Sequence, residues 1–131
     1  MKRSGFKSRG KPLQTKSPMR KVSRKKAAKR ASSEGQEAAR YMWAVKQLPC
    51  CICGAAPPSD AHHCYNDRYG TAKESDWDVI PLCKICHQDG PQSVHNAKRT
   101  WREKHGPDHG YIEQTAALVL SAFGIERKAP R

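Results

Sequence analysis

The chain has 131 residues, room for one small domain, and carries 25 Lys and Arg against 12 Asp and Glu, a formal charge of +13 at pH 7. A balance that basic points to polyanionic partners. The start of the chain is charged and lacks an apolar signal core, and no apolar run is long enough to span a bilayer. The expectation is therefore no membrane partner and a cytoplasmic location in a bacterial or phage-infected cell, or a nuclear one in a eukaryote.

The charge is unevenly spread, since residues 1–40 hold 14 of the basic residues and only 2 of the acidic ones. Residues 1–33 are rich in Lys, Arg, Ser and Gly and poor in large apolar side chains, so they cannot bury enough surface to offset the entropy of ordering. A disordered basic tail is expected there. Arg20-Lys21 and Arg24-Lys25-Lys26 would add salt-dependent affinity for phosphates. Residues 34–131 form the expected domain.

A helix is predicted from Ser33, as N-cap, with Ala38, Tyr41, Met42 and Val45 recurring at helical spacing and Pro49 ending it. Cys50-Cys51-Ile52-Cys53-Gly54 reads as a tight metal-binding turn. Asp60 to Tyr65 and Val79-Ile80-Pro81-Leu82 read as strands, separated by a polar loop over 66–77. Asp89-Gly90-Pro91 would interrupt any helix begun at Cys83. A helix is predicted from about Ser93, with Val94, Ala97 and Trp101 on one face and a stop at Gly106-Pro107. The last helix, Tyr111 to Phe123, would turn Ile112, Ala116, Val119, Leu120 and Phe123 inward and end at Gly124.

Two Cys-x-x-Cys pairs, Cys50/Cys53 and Cys83/Cys86, each place two thiolates at corners of a tetrahedron, and together they complete a closed structural Zn²⁺ shell. In a reducing compartment such pairs bind metal rather than form disulfides. Cys51 and Cys64 are then spare thiols. The 29 residues between Cys53 and Cys83 exceed a minimal zinc ribbon, so this stretch needs structure of its own. It contains the adjacent pair His62-His63, and His87 follows the last cysteine directly. Neighbouring residues of a strand point to opposite faces, so His62 and His63 cannot both ligate one ion without distortion.

Ala61-His62-His63 followed by Asp78-Val79-Ile80-Pro81-Leu82-Cys83-Lys84-Ile85-Cys86-His87 resembles the ββα-metal core of HNH endonucleases in their zinc-bearing form. The resemblance spans about 50–100 and is closest to small phage and prophage members. It implies an α+β fold: a ββα-metal core stapled by a four-cysteine zinc site and flanked by helices. It also implies hydrolysis of DNA phosphodiesters, by nicking or double-strand cleavage, leaving 5′-phosphate and 3′-hydroxyl ends. In the family the first histidine of the pair is a metal ligand and the second the general base, which assigns His62 and His63 respectively. His87 matches the ligand at the start of the helix.

Two positions depart from the pattern. The usual ligand four residues after His87 would be Pro91, which cannot ligate. His95 takes its place if the Gly-Pro turn brings it back, because eight residues of unbroken helix would carry it roughly 12 Å away. The family's middle Asn is replaced by Asp78, with Asp76 as the alternative orienting group. The catalytic ion would be Mg²⁺ or Mn²⁺, with Zn²⁺ or Ni²⁺ as alternatives. Arg68, Lys73, Lys98, Arg99 and Arg102 are candidate contacts to DNA, or to RNA, and His105 and His109 read as solvated. The competing reading is a zinc module that binds DNA or RNA without cutting it.

Overall fold

The structure, a computed structural model, describes residues 22–65 and 75–128. Arg68, Lys73 and residues 1–21 of the expected tail lie outside them. The described part of that tail differs from the expectation. Arg24–Ala31 forms a helix, α1, whose N-cap Ser23 accepts from the Lys26 amide. Ala, Lys and Arg are strong helix formers and Ser is a strong cap, so local propensity and capping favour a helix here although α1 buries nothing.

Helix α2, Ser33–Lys46, is capped by Ser32, whose hydroxyl accepts from the Gly35 amide at 3.1 Å, one residue before the cap expected. Its buried stripe is Ala38, Tyr41, Ala44 and Val45. After the cysteine turn, strands β1 (Asp60–His63) and β2 (Val79–Leu82) pair antiparallel, with His62 opposite Ile80 and His63 opposite Val79. β1 stops two residues short of the expected Tyr65. All four residues of β2 are buried, because the sheet separates two apolar clusters. On one side Val79 joins Tyr41, Val45, Leu48, Trp77 and Val119; on the other Ile80 and Leu82 join Cys50, Cys64, Val94, Trp101 and Ile112. A two-stranded sheet has little stability alone, and here both faces are covered.

The turn predicted at Asp89-Gly90-Pro91 is present and has an unexpected origin. Residues Ile85–Asp89 wind as a single wide turn with π-type bonding, closed by the Gly90 amide on the Ile85 carbonyl at 3.0 Å. Only glycine fits there, since a Cβ on Gly90 would lie 2.5 Å from that carbonyl oxygen. Pro91 cannot donate to continue the winding.

Helix α3 spans Lys98–His105 and starts five residues later than predicted. Ser93 and Asn96 are consumed in holding the preceding turn: the Asn96 side-chain amide donates to the Gln88 and Gly90 carbonyls at 2.7 and 2.9 Å. A short 3₁₀ segment, Asp108–Tyr111, leads into α4, Ile112–Phe123, which ends at Gly124 in the left-handed region. α4 buries Ile112, Thr115 and Val119. Leu120 and Phe123, expected inside, are exposed, and Phe123 packs edge-on against the exposed Trp43 instead. The buried face is rotated because Thr115, not an apolar residue, occupies its centre. Among the described residues no helix is long and apolar enough to cross a membrane.

Candidate metal centre

Two ligand clusters flank β2. The first is the predicted one: the sulfurs of Cys50, Cys53, Cys83 and Cys86 lie within 4.8 Å of one another. The first pair sits on a turn in which the Gly54 amide donates to the Cys50 carbonyl at 3.0 Å, and Gly54 takes φ 72°, a conformation that disfavours any side chain. The Cys51 amide then donates to the Pro81 carbonyl at 3.0 Å, which fastens this turn to β2 just before Cys83.

Cys53 and Cys83 Sγ are 3.6 Å apart, and all six cysteines are free thiols. A tetrahedral ion with Zn–S bonds of about 2.3 Å needs a sulfur–sulfur edge near 3.8 Å, so the four cysteines can bind a metal such as zinc. The electrostatics agree. Burial works to raise Cys50, yet amide bonds from Cys53, Cys83 and Ile52 bring it down to about 7. Burial and the crowd of neighbouring sulfurs push Cys86 far up. A cation would offset the charge of several thiolates held this close. Cys51 is pushed up to about 12 by burial and stays a thiol, and Cys64 is fully buried away from the cluster.

The second cluster is His62, His87 and His95, again with ligand atoms within 4.8 Å. His62 hangs from β1 on the face of Ile80 and is 1% exposed. His87 lies in the wide turn after Cys86. The break at Gly90 folds the chain back so that the Val94 and His95 amides reach the Cys86 and His87 carbonyls at 2.9 and 3.3 Å. That reversal is what brings His95 Nε2 to 3.0 Å from His87 Nε2.

Each ring is held from outside by a different group. His62 Nε2 donates to Asp108 Oδ2 at 3.1 Å, and His87 Nδ1 donates to Asp60 Oδ2 at 3.0 Å. His95 Nδ1 meets the Tyr65 hydroxyl at 2.5 Å. With one nitrogen of each ring so engaged, His87 and His95 turn their Nε2 atoms to each other and the His62 ring centroid lies 5.2 and 5.3 Å from theirs, the kind of arrangement by which outer partners orient metal-bound imidazoles. A spacing of 3.0 Å suits two ligands about 90° apart on an ion with bonds near 2.1 Å. Two ring nitrogens at that distance share one proton when no cation lies between them. That proton must leave before both nitrogens can ligate. Burial first, against the pull of Asp108, holds His62 below its ordinary pKa, and burial together with the His87, His62 and Lys98 charges does the same for His95. Both rings are then neutral near pH 7, as ligands must be.

His63 points to the other face of the sheet, 40% exposed, with Nε2 at 3.0 Å from Asp76 Oδ1. Asp78 holds a different partner. Its buried carboxylate accepts from the Arg127 guanidinium, so of the two acidic candidates Asp76 is the one that holds His63. Lys98, Arg99 and Arg102 are exposed on α3. Lys98 Nζ lies 3.9 Å above the Tyr65 ring, and Arg99 pairs with Glu103 at 3.1 Å. His105 and His109, expected to be solvated, are half-buried, His105 against Trp101.

Sequence reasoning missed Asp60, Tyr65 and Asp108. Strand alternation could have found Asp60, which lies two residues before His62 and so on its face. Tyr65 and Asp108 carry no such signal, because their positions follow from chain reversals.

A family model described as a protein of unknown function (DUF968) matches residues 16–122, and the chain belongs to that family. No curated protein and no solved structure matches it.

Proposed function

We propose that this DUF968 member is a metal-dependent endonuclease of the HNH type that hydrolyses DNA phosphodiester bonds. The observation that carries the reading is the histidine trio: three imidazoles converge, His95 by way of a chain reversal, and a fourth histidine with its own carboxylate follows His62 in the chain. A bound divalent ion would act as a Lewis acid, neutralising charge on the phosphate under attack. Three imidazoles suit Zn²⁺ or Ni²⁺ better than Mg²⁺, which prefers oxygen ligands.

His63 is the proposed general base. With its Nε2–H given to Asp76, its Nδ1 lone pair is left to take a proton from water. Asp76 keeps that tautomer and offsets the charge the ring acquires. Lys98, Arg99 and Arg102 would hold the phosphate backbone, positioning the strand without reading its sequence. Zinc on Cys50, Cys53, Cys83 and Cys86 would be structural, tying the first turn to the end of β2.

The second reading is a zinc module that binds DNA or RNA without cutting it. It draws on the burial of His62, whose bond to Asp108 is also what a satisfied core histidine would make. Incubating zinc-loaded protein with supercoiled plasmid and added Mn²⁺, Ni²⁺ or Mg²⁺ separates the two. Nicked or linear product, lost with His63→Ala and with His95→Ala, is the expected result; binding without cleavage under every ion would leave only the module.

A further inference from the structure

We infer that Asp108, from the 3₁₀ segment beyond the ββα core, is the positioning residue of the histidine trio and fixes two of its three rings. The inference rests on reading the trio as an ion site. One oxygen, Asp108 Oδ2, accepts from His62 Nε2 at 3.1 Å and from the Tyr65 amide at 2.6 Å. Tyr65 in turn reaches His95 with its hydroxyl at 2.5 Å. The same carboxylate therefore sets the tautomer of His62 directly and places the group that orients His95.

A buried carboxylate is costly unless fully bonded, and Asp108, 7% exposed, is fully bonded: its Oδ1 accepts from the His109 amide at 2.8 Å. A simple cap for the 3₁₀ segment would need only that last bond. The bonds of Oδ2 instead cross to the end of β1, forty and more residues earlier in the chain.

The test uses zinc-loaded full-length protein titrated with Ni²⁺ by calorimetry, with His95→Ala as the blank. Asp108→Ala is expected to weaken uptake by about 10- to 100-fold. Asp108→Asn, whose amide oxygen can accept the same two bonds, is expected to recover most of it. Long-range ¹H–¹⁵N spectra before Ni²⁺ addition are expected to show His62 as the Nε2–H tautomer in the wild type and a mixture in Asp108→Ala.

Unchanged Ni²⁺ affinity in Asp108→Ala, with normal wild-type uptake, would overturn the role of Asp108 alone. Wild-type uptake no greater than the blank would overturn the ion-site reading beneath it. If Asp108→Ala fails to fold, the wild-type spectrum decides, because an Nδ1–H tautomer at His62 would overturn the inference without any variant.

Discussion

His87 and His95 face each other through their Nε2 atoms at 3.0 Å, although eight residues separate them in the chain. Two neutral nitrogens at that distance need a proton or a cation between them. His95→Ala removes one of the pair from a half-exposed position where little packing is lost. It is expected to abolish tight Ni²⁺ or Zn²⁺ uptake at the trio while changing stability by only about 0.5 kcal/mol, as for most surface changes. Calorimetry and thermal melting of the zinc-loaded protein read both quantities.

The two acidic candidates beside the second strand are expected to separate cleanly. Asp76→Asn leaves a half-exposed site and should lower cleavage, by about 10-fold or more, with little change in melting. Asp78→Ala removes the carboxylate that the partly buried Arg127 guanidinium donates to and should cost about 1.5 kcal/mol, with cleavage per folded molecule preserved. Urea titration beside plasmid nicking distinguishes them. Equal loss of activity in both variants would return Asp78 to the catalytic role that the Asn-like position suggests.

Removing a zinc ligand is expected to act on folding. Cys83→Ser opens the shell that joins the first turn to β2, and neither apolar cluster is large enough to hold those parts alone. The expected outcome is loss of cooperative unfolding in circular dichroism, matched in the wild type by a strong chelator. Cys51→Ser, outside the shell, should retain native zinc content.

Tyr41 supplies a prediction about pH. It is fully buried against Trp77, and its hydroxyl is without a hydrogen-bond partner among the described residues. Burial pushes its phenol up to about 12, partly opposed by Arg127, from an ordinary value near 10. The folded form holds the proton more tightly, so the stability this gives is complete below pH 10 and lost as pH rises through 12. Tyr41→Phe is expected to gain about 1 kcal/mol at pH 7 by removing the unsatisfied hydroxyl. Its advantage should widen between denaturant titrations at pH 9 and pH 11.

What the sequence disclosed depended on how local each signal was. Cys50, Cys53, Cys83 and Cys86 were legible because the spacing of each pair is itself the geometry of the site. β2 was legible because an apolar run followed by Cys-x-x-Cys leaves few alternatives. The start of α3 was not: Val94 and Trp101 have helical spacing, yet Asn96 spends its side chain on the Gln88 and Gly90 carbonyls and delays the helix to Lys98. The rotation of α4 was hidden for a similar reason, since Thr115 looks polar in sequence and Leu120 looks buried. Asp108 was the least visible, because its importance is set by where Gly106 and Pro107 send the chain.

Cys86 and His87 are consecutive residues that serve different clusters, one among the sulfurs and the other among the imidazoles. A single peptide unit thus joins the two sites, and neither residue can shift without carrying the other. An ion among the sulfurs would therefore stiffen the turn that carries His87, adding to the hold of the Asp60 carboxylate on that ring. By thermodynamic reciprocity, an ion among the imidazoles would then tighten the grip of the sulfurs by the same factor.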